Sequence, residues 1–129
     1  MAKRSRAAKS NPALVEKVVD ALHAKKGHHV VSLDLRHIHA AVADWFIICT
    51  GDSSTQVEAL AGSVEDGVRK ALGEKPWHVE GMTNAEWVLV DYVDVVVHIF
   101  QPHARNHYGL EHLWADAIVT EHPDALMAD

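Results

Sequence analysis

The sequence holds one cysteine, Cys49. An internal disulfide and a paired-cysteine zinc site are both excluded by that count. No apolar run approaches the ~18–20 residues that a membrane-spanning helix requires. The longest, Val95 to Phe100, is strand-sized and broken by His98. The basic start MAKRSRAAKS has no apolar stretch behind it, so it does not read as a secretory signal. A cytoplasmic protein is expected. Aromatic residues amount to 6%, too few for a surface that stacks RNA bases. No GxxxxGK[ST], GxGxxG or HExxH motif occurs, and no Ser/His/Asp or Cys/His nucleophile pattern. Cys49 lies in apolar company, the setting of an inert core thiol.

Positive charge is also scarce. Twelve Lys and Arg face eighteen Asp and Glu. Four of the twelve, Lys3, Arg4, Arg6 and Lys9, fall in the first ten positions, which hold no acid, so eight remain against all eighteen acids and residues 11–129 carry −10. Such a body repels phosphate backbones and attracts a basic protein, raising its association rate. The basic residues 1–10 read as a frayed, solvated tail, with contact to nucleic acid as the alternative.

What is present is an ordinary globular balance. With 129 residues, 48% hydrophobic and 23% charged, the chain can bury one core and make one domain. Asn11-Pro12 reads as a helix start, followed by Leu14, Val15, Val18, Val19 and Leu22 at helical spacing. Gly27 is the expected stop. Val30 to Leu35 alternates as a strand. Trp45 to Thr50 is a continuous apolar run, expected as a central strand covered on both faces. Gly51-Asp52-Ser53-Ser54 breaks it and caps a second helix, whose stripe is Val57, Leu60, Ala61, Val64, Val68, Ala71 and Leu72. Gly73 ends that helix. Trp77 to Val79 is a short strand, and Glu86–Asp91 with Asp94–Phe100 form a hairpin linked at Tyr92-Val93. His103 to Ala117 is short helix or turn. The order α-β-β-α-β-β-β predicts an α/β (α+β) fold: a mixed sheet of about five strands with two main helices. The expected divisions are a basic tail at 1–10, one domain at 11–117 and a loose tail at 118–129.

These elements offer three chemical readings. A strand–Gly–Ser–helix turn such as Gly51–Ser53 holds triphosphates in nucleotidyltransferases. Those enzymes also need carboxylates on one strand face to hold magnesium. The nearest pair, Asp91 and Asp94, is spaced by three rather than two and suits a hairpin turn instead. Eleven histidines invite a metal, and His103 with His107 could share a helix face, but zinc wants three or four ligands in a fixed shell. No metal and no cofactor are expected, and His98 reads as a hydrogen-bonded buried residue. In the hairpin, Trp87, Leu89 and Asp91 share one face, and Val88 and Val90 the other. Either the valines face the helices and Trp87 anchors a surface patch, or Trp87 is core. The pattern alone leaves both open.

The segment Trp87 to Phe100, followed by Arg105-Asn-His-Tyr-Gly-Leu-Glu-His-Leu-Trp-Ala-Asp116, resembles the signature of the Iojap family, the ribosomal silencing factors RsfS. That signature is a Trp strand, an Asp-containing turn, VVHxF and RxxYxLExLW. Arg105, Tyr108, Leu110, Glu111, Leu113 and Trp114 are in register with it. Asp44-Trp-Phe-Ile-Ile, Thr50-Gly51 with Ser53, and Glu80-Gly81 resemble earlier family pieces. Val93 departs from the glycine usual in the hairpin turn. The resemblance covers about residues 12–117. It implies a nucleotidyltransferase-like fold without the catalytic carboxylates and no enzymatic activity. It also implies binding to the large ribosomal subunit through ribosomal protein L-fourteen, a steric block to subunit joining, repression of translation, and homodimers. The interface residue it implies is Trp87, extended by proximity to Leu89, Asp91, Tyr92 and Asp94. His98, Arg105, Tyr108, Leu110, Glu111 and Trp114 are expected to be structural. A nucleotidyltransferase-like enzyme with residual nucleotide binding is the alternative.

Overall fold

The computed structural model describes residues 11–124. The proposed tail at 1–10 therefore lies outside the described residues, as do residues 125–129. Helix α1 (Pro12–Ala24) starts where Asn11-Pro12 predicts, though the Asn11 side chain makes no capping bond; its main-chain oxygen accepts from Val15 N at 3.1 Å. At the other end, Lys26 rather than Gly27 takes the left-handed conformation, with φ +62°. Gly27 is needed for a different reason: a Cβ there would run into Cys49 Sγ and Leu60. The chain turns tightly under α1 into β1 (His28–Asp34), and β2 (Trp45–Thr50) pairs antiparallel beside it.

Helix α2 (Ser54–Leu72) is capped as its sequence suggests. Ser53 Oγ accepts from Gln56 N at 3.1 Å, and Gly73 closes the helix at φ +71°. Strands β3 (His78–Glu80), β4 (Trp87–Asp91) and β5 (Val95–Phe100) follow, then the short helices α3 (Pro102–Tyr108) and α4 (Leu110–Leu113). A last strand, β6 (Ile118–His122), completes a sheet of order β3-β4-β5-β2-β1-β6. Only β2 and β5 run parallel among these neighbours. Their location at the sheet centre explains the unbroken apolar character of both.

The sheet has six strands rather than about five, and residues 118–122 are not a loose tail. Strand β6 pairs antiparallel with β1 from Val30↔His122 to Asp34↔Ile118. Its side chains are almost all exposed, so no buried face imprints alternation on its sequence. Backbone pairing holds it, with help from His122, whose Nε2 is hydrogen-bonded to Ser32 Oγ at 3.0 Å and whose carbonyl accepts from His23 Nε2 at 3.3 Å.

Two apolar layers sandwich the sheet. Helices α1 and α2 pack on one face, over Val30, Ile47, Cys49, Val88, Val90, Val97 and Ile99. The other face, with Leu33, Phe46, Ile48, Val96 and Phe100, is covered by the 35–43 connection and by Ala104 and Leu110 of α3 and α4. Burial pushes the Cys49 thiol up to about 12, so it stays protonated and inert.

The hairpin turn stores strain. Val93 sits at φ +79°, held by its N–H donating to Asp91 Oδ1 at 2.6 Å. A β-branched residue there costs roughly 1–2 kcal/mol, against a smaller entropic penalty for glycine. Val93→Gly is therefore expected to stabilise the domain by about 1 kcal/mol, read as a higher urea midpoint. A lowered midpoint would show that the Val93 side chain contributes more than its backbone costs.

Candidate functional site

The hairpin faces resolve the open choice about Trp87. Val88 and Val90 are fully buried beneath the helices, while Trp87 and Leu89 are half-buried on the opposite face. In the β4–β5 register Trp87 lies directly across from Phe100 and Leu89 across from His98. The indole stacks on Phe100, with centroids 5.1 Å apart and planes 29° off parallel. Its Nε1–H donates to His98 Nδ1 at 3.1 Å. Tyr108, the last residue of α3, packs on the indole at 4.5 Å and is itself 47% exposed. The product is an aromatic patch of Trp87 and Tyr108, floored by Phe100 and flanked by Leu89.

Rigid connections fix this patch. Gln101 N donates to Glu86 O at 2.9 Å, and its side-chain Nε2 donates to Ala85 O at 3.0 Å, locking the start of α3 to the start of β4. Gly81, at φ +92°, lets the preceding loop touch the Trp87 carbonyl so closely that a Cβ would collide with it. The Glu80-Gly81 motif thus has a steric basis beside the site.

The other expected interface residues divide. Asp91 shares the Trp87 face but spends Oδ1 on Val93 N. Tyr92 is on the helix side and only 7% exposed, because the alternation that turns Trp87 outward turns residue 92 inward. Burial also pushes its phenol up. Asp94 is 6% exposed, and its carbonyl accepts from Asp44 N and Trp45 N at 2.8 and 3.0 Å. Proximity in sequence therefore misplaced both; neither belongs to the patch.

The expected structural residues also divide. Arg105 Nη1 donates to His29 O at 2.7 Å and to Thr50 Oγ1 at 2.8 Å, and Nη2 donates to Glu111 Oε2 at 2.8 Å. One guanidinium thus ties α3 and α4 to β1 and β2. Leu110 is buried, and Trp114 packs edge-on against Phe46 at 6.0 Å. His98 is buried, and desolvation lowers it to about 4, so it is neutral. Tyr108, expected to be structural, belongs to the surface patch instead, and Leu113 is 72% exposed. Phe100 could have been found from the hairpin register. Tyr108 could not, because its place depends on the direction α3 takes after Pro102.

A concavity of about 800 Å³ lies at the carboxyl end of β2, lined by His28, Thr50, Asp52, Arg105, Glu111 and Asp124 among others. It includes the Gly51–Ser53 turn before α2, where two main-chain N–H groups already have partners. Asp52 N donates to Gln56 Oε1 at 2.7 Å and Gln56 N to Ser53 Oγ. Gln56 Nε2 in turn donates to the carbonyls of Lys25 and Lys26. His28 bridges the cleft, its Nδ1 3.2 Å from Asp124 Oδ2 and its Nε2 3.2 Å from Asp52 Oδ2. The bond to Asp124 is the main cause of the elevated His28 pKa, with Asp52 adding to it. A His raised above its unfolded value stabilises fully below pH ~6.5, and loses that contribution as pH rises through the folded value. Raising pH should therefore speed amide exchange of residues 118–122 beyond its intrinsic base dependence, and Asp124→Asn should remove that excess. An unchanged excess in Asp124→Asn would refute the link.

Fold and patch together define a small α/β domain that presents a partly exposed aromatic patch. A family model described as ribosomal silencing factor during starvation matches residues 8–128. A ribosomal silencing factor RsfS from Halalkalibacterium halodurans is 41% identical over 112 residues, covering 87% of this chain and 94% of that one. The Bacillus subtilis protein of the same name is 43% identical, over 72% of this chain and 77% of its own. A crystal structure of a Chromobacterium violaceum protein superposes with a TM-score of 0.76 at 36% identity, covering 81% of this chain and 85% of that one. The chain belongs to the ribosomal silencing factor family.

Proposed function

We propose that this protein represses translation by binding the large ribosomal subunit through ribosomal protein L-fourteen and blocking the small subunit from joining. The observation that carries the reading is the partly exposed Trp87–Tyr108 pair, supplied by β4 and the end of α3 on the sheet face away from α1 and α2. Trp and Tyr are the residues that most often anchor interfaces, and such rigid rings lose little entropy on docking. The −10 carried by residues 11–129 suits a basic ribosomal protein as partner. Leu89 and Asp91 extend the patch along β4.

The mechanism is steric and needs no chemical step. Two amides at the start of α2, those of Asp52 and Gln56, are hydrogen-bonded within the protein, and Asp91 Oδ1 is committed to its turn. These engagements favour the regulatory reading over nucleotidyl transfer. The site of action is the cytoplasm, and the chain is proposed to form a homodimer. Sucrose-gradient sedimentation with isolated large subunits tests the binding. Adding small subunits tests the block: 70S formation undiminished by saturating protein would sink the proposal.

A further inference from the structure

His98 is an expensive residue to keep where it is. It occupies the middle of β5, 4% exposed, between Phe46 at 4.6 Å and Phe100 at 6.3 Å. A hydrocarbon would fill such a position without desolvating a polar ring. Its Nε2 has no hydrogen-bond partner among the described residues. The bond given to its ring is the one from the Trp87 indole. Trp87, in contrast, is only partly buried.

The indole nitrogen can only donate. His98 Nδ1 must therefore be the acceptor, with its proton on the unpartnered Nε2. Desolvation keeps the ring neutral and the lone pair available at physiological pH. The indole is thereby held at three places: Phe100 beneath, Tyr108 beside it, and His98 at the N–H. Stacking alone leaves a ring free to slide and to rotate in its plane. A directed hydrogen bond removes that freedom.

We propose that His98 is the positioning residue for Trp87: a buried acceptor that holds the indole in the pose presented to the ribosomal partner. This inference rests on the binding reading above. Its effect falls on affinity, because a ring already fixed in its docked pose forfeits less freedom when it binds.

The test pairs His98→Phe with Trp87→Phe and the double variant, measuring affinity for isolated large subunits and melting temperature. His98→Phe keeps an aromatic ring between Phe46 and Phe100 and removes the acceptor. It should fold at least as stably as the parent and bind about tenfold more weakly. In the Trp87→Phe background, where there is no N–H to hold, it should have no further effect. His98→Gln, which can again offer an acceptor, should recover part of the affinity. Unchanged binding by His98→Phe while Trp87→Ala loses binding overturns the positioning role and leaves the surface reading standing. Normal binding by Trp87→Ala takes both down. A measurement on the unmodified protein stands even if the variants fail to fold. Nitrogen-15 shifts should show His98 protonated at Nε2 and bare at Nδ1, and the opposite tautomer refutes the proposal.

Discussion

Trp87→Ala is expected to give a folded protein that no longer sediments with large ribosomal subunits. The side chain is half-buried on the face away from α1 and α2, stacked on Phe100 and Tyr108. Its removal opens a gap at the surface that solvent fills. The cost to stability should thus fall below the ~3–5 kcal/mol of a fully buried tryptophan. At an interface centre the same ring is worth at least ~2 kcal/mol, a loss of roughly thirtyfold or more in affinity. Subunit joining should recover accordingly in its presence. Circular dichroism and sedimentation on one preparation separate the two effects. An unfolded variant would mean that Trp87 belongs to the core, and a folded variant that still blocks joining would place the anchor elsewhere.

The largest stability effect should come from Arg105→Ala. The Arg105 side chain is 13% exposed, and its guanidinium spans three attachment points: His29 O, Thr50 Oγ1 and the Glu111 carboxylate. Truncation leaves a buried hydroxyl and a partly buried carboxylate without their donor. A loss of about 3 kcal/mol follows, on the order of 10 °C in melting temperature for a domain of this size. Arg105→Lys should recover little, because an ammonium cannot reproduce the fork that engages Glu111 while reaching β1 and β2. Tyr108 closes α3, so Arg105→Ala should also weaken ribosome binding by loosening the upper half of the patch. A melting temperature unchanged by Arg105→Ala would show that α3 and α4 are not docked through this residue.

Resemblance and residue pattern made different parts of the site legible. The alternation in β4 shows that Trp87 and Leu89 share a face opposite Val88 and Val90. It cannot show which face meets the helices, since both sets are apolar. The structure decides it because α2 packs on the valine side. Tyr92 and Asp94 stand within a few residues of Asp91, yet the same two-residue period and the turn carry their side chains into the interior. Adjacency in sequence is a poor guide to a shared surface wherever a strand ends.

Some features of this protein follow from its sequence alone. The two long helices are written in apolar periodicity, because each buries one continuous face, and the central strands in unbroken apolar runs, because both of their faces are covered. The Ser53 and Gly73 caps are written in residue type, because hydroxyl capping and a left-handed backbone are local demands. The lack of cysteine pairs and of phosphate-loop motifs is equally a property of the chain itself. Tertiary structure decided the rest. Strand β6 has no buried face to leave a pattern, so only its pairing with β1 reveals it. Lys26 takes the left-handed turn that Gly27 was expected to take, because Gly27 is consumed by its contact with Cys49. The meeting of Trp87, His98, Phe100 and Tyr108 depends on hairpin register and on the direction of α3. These are long-range relations that no local window of sequence contains.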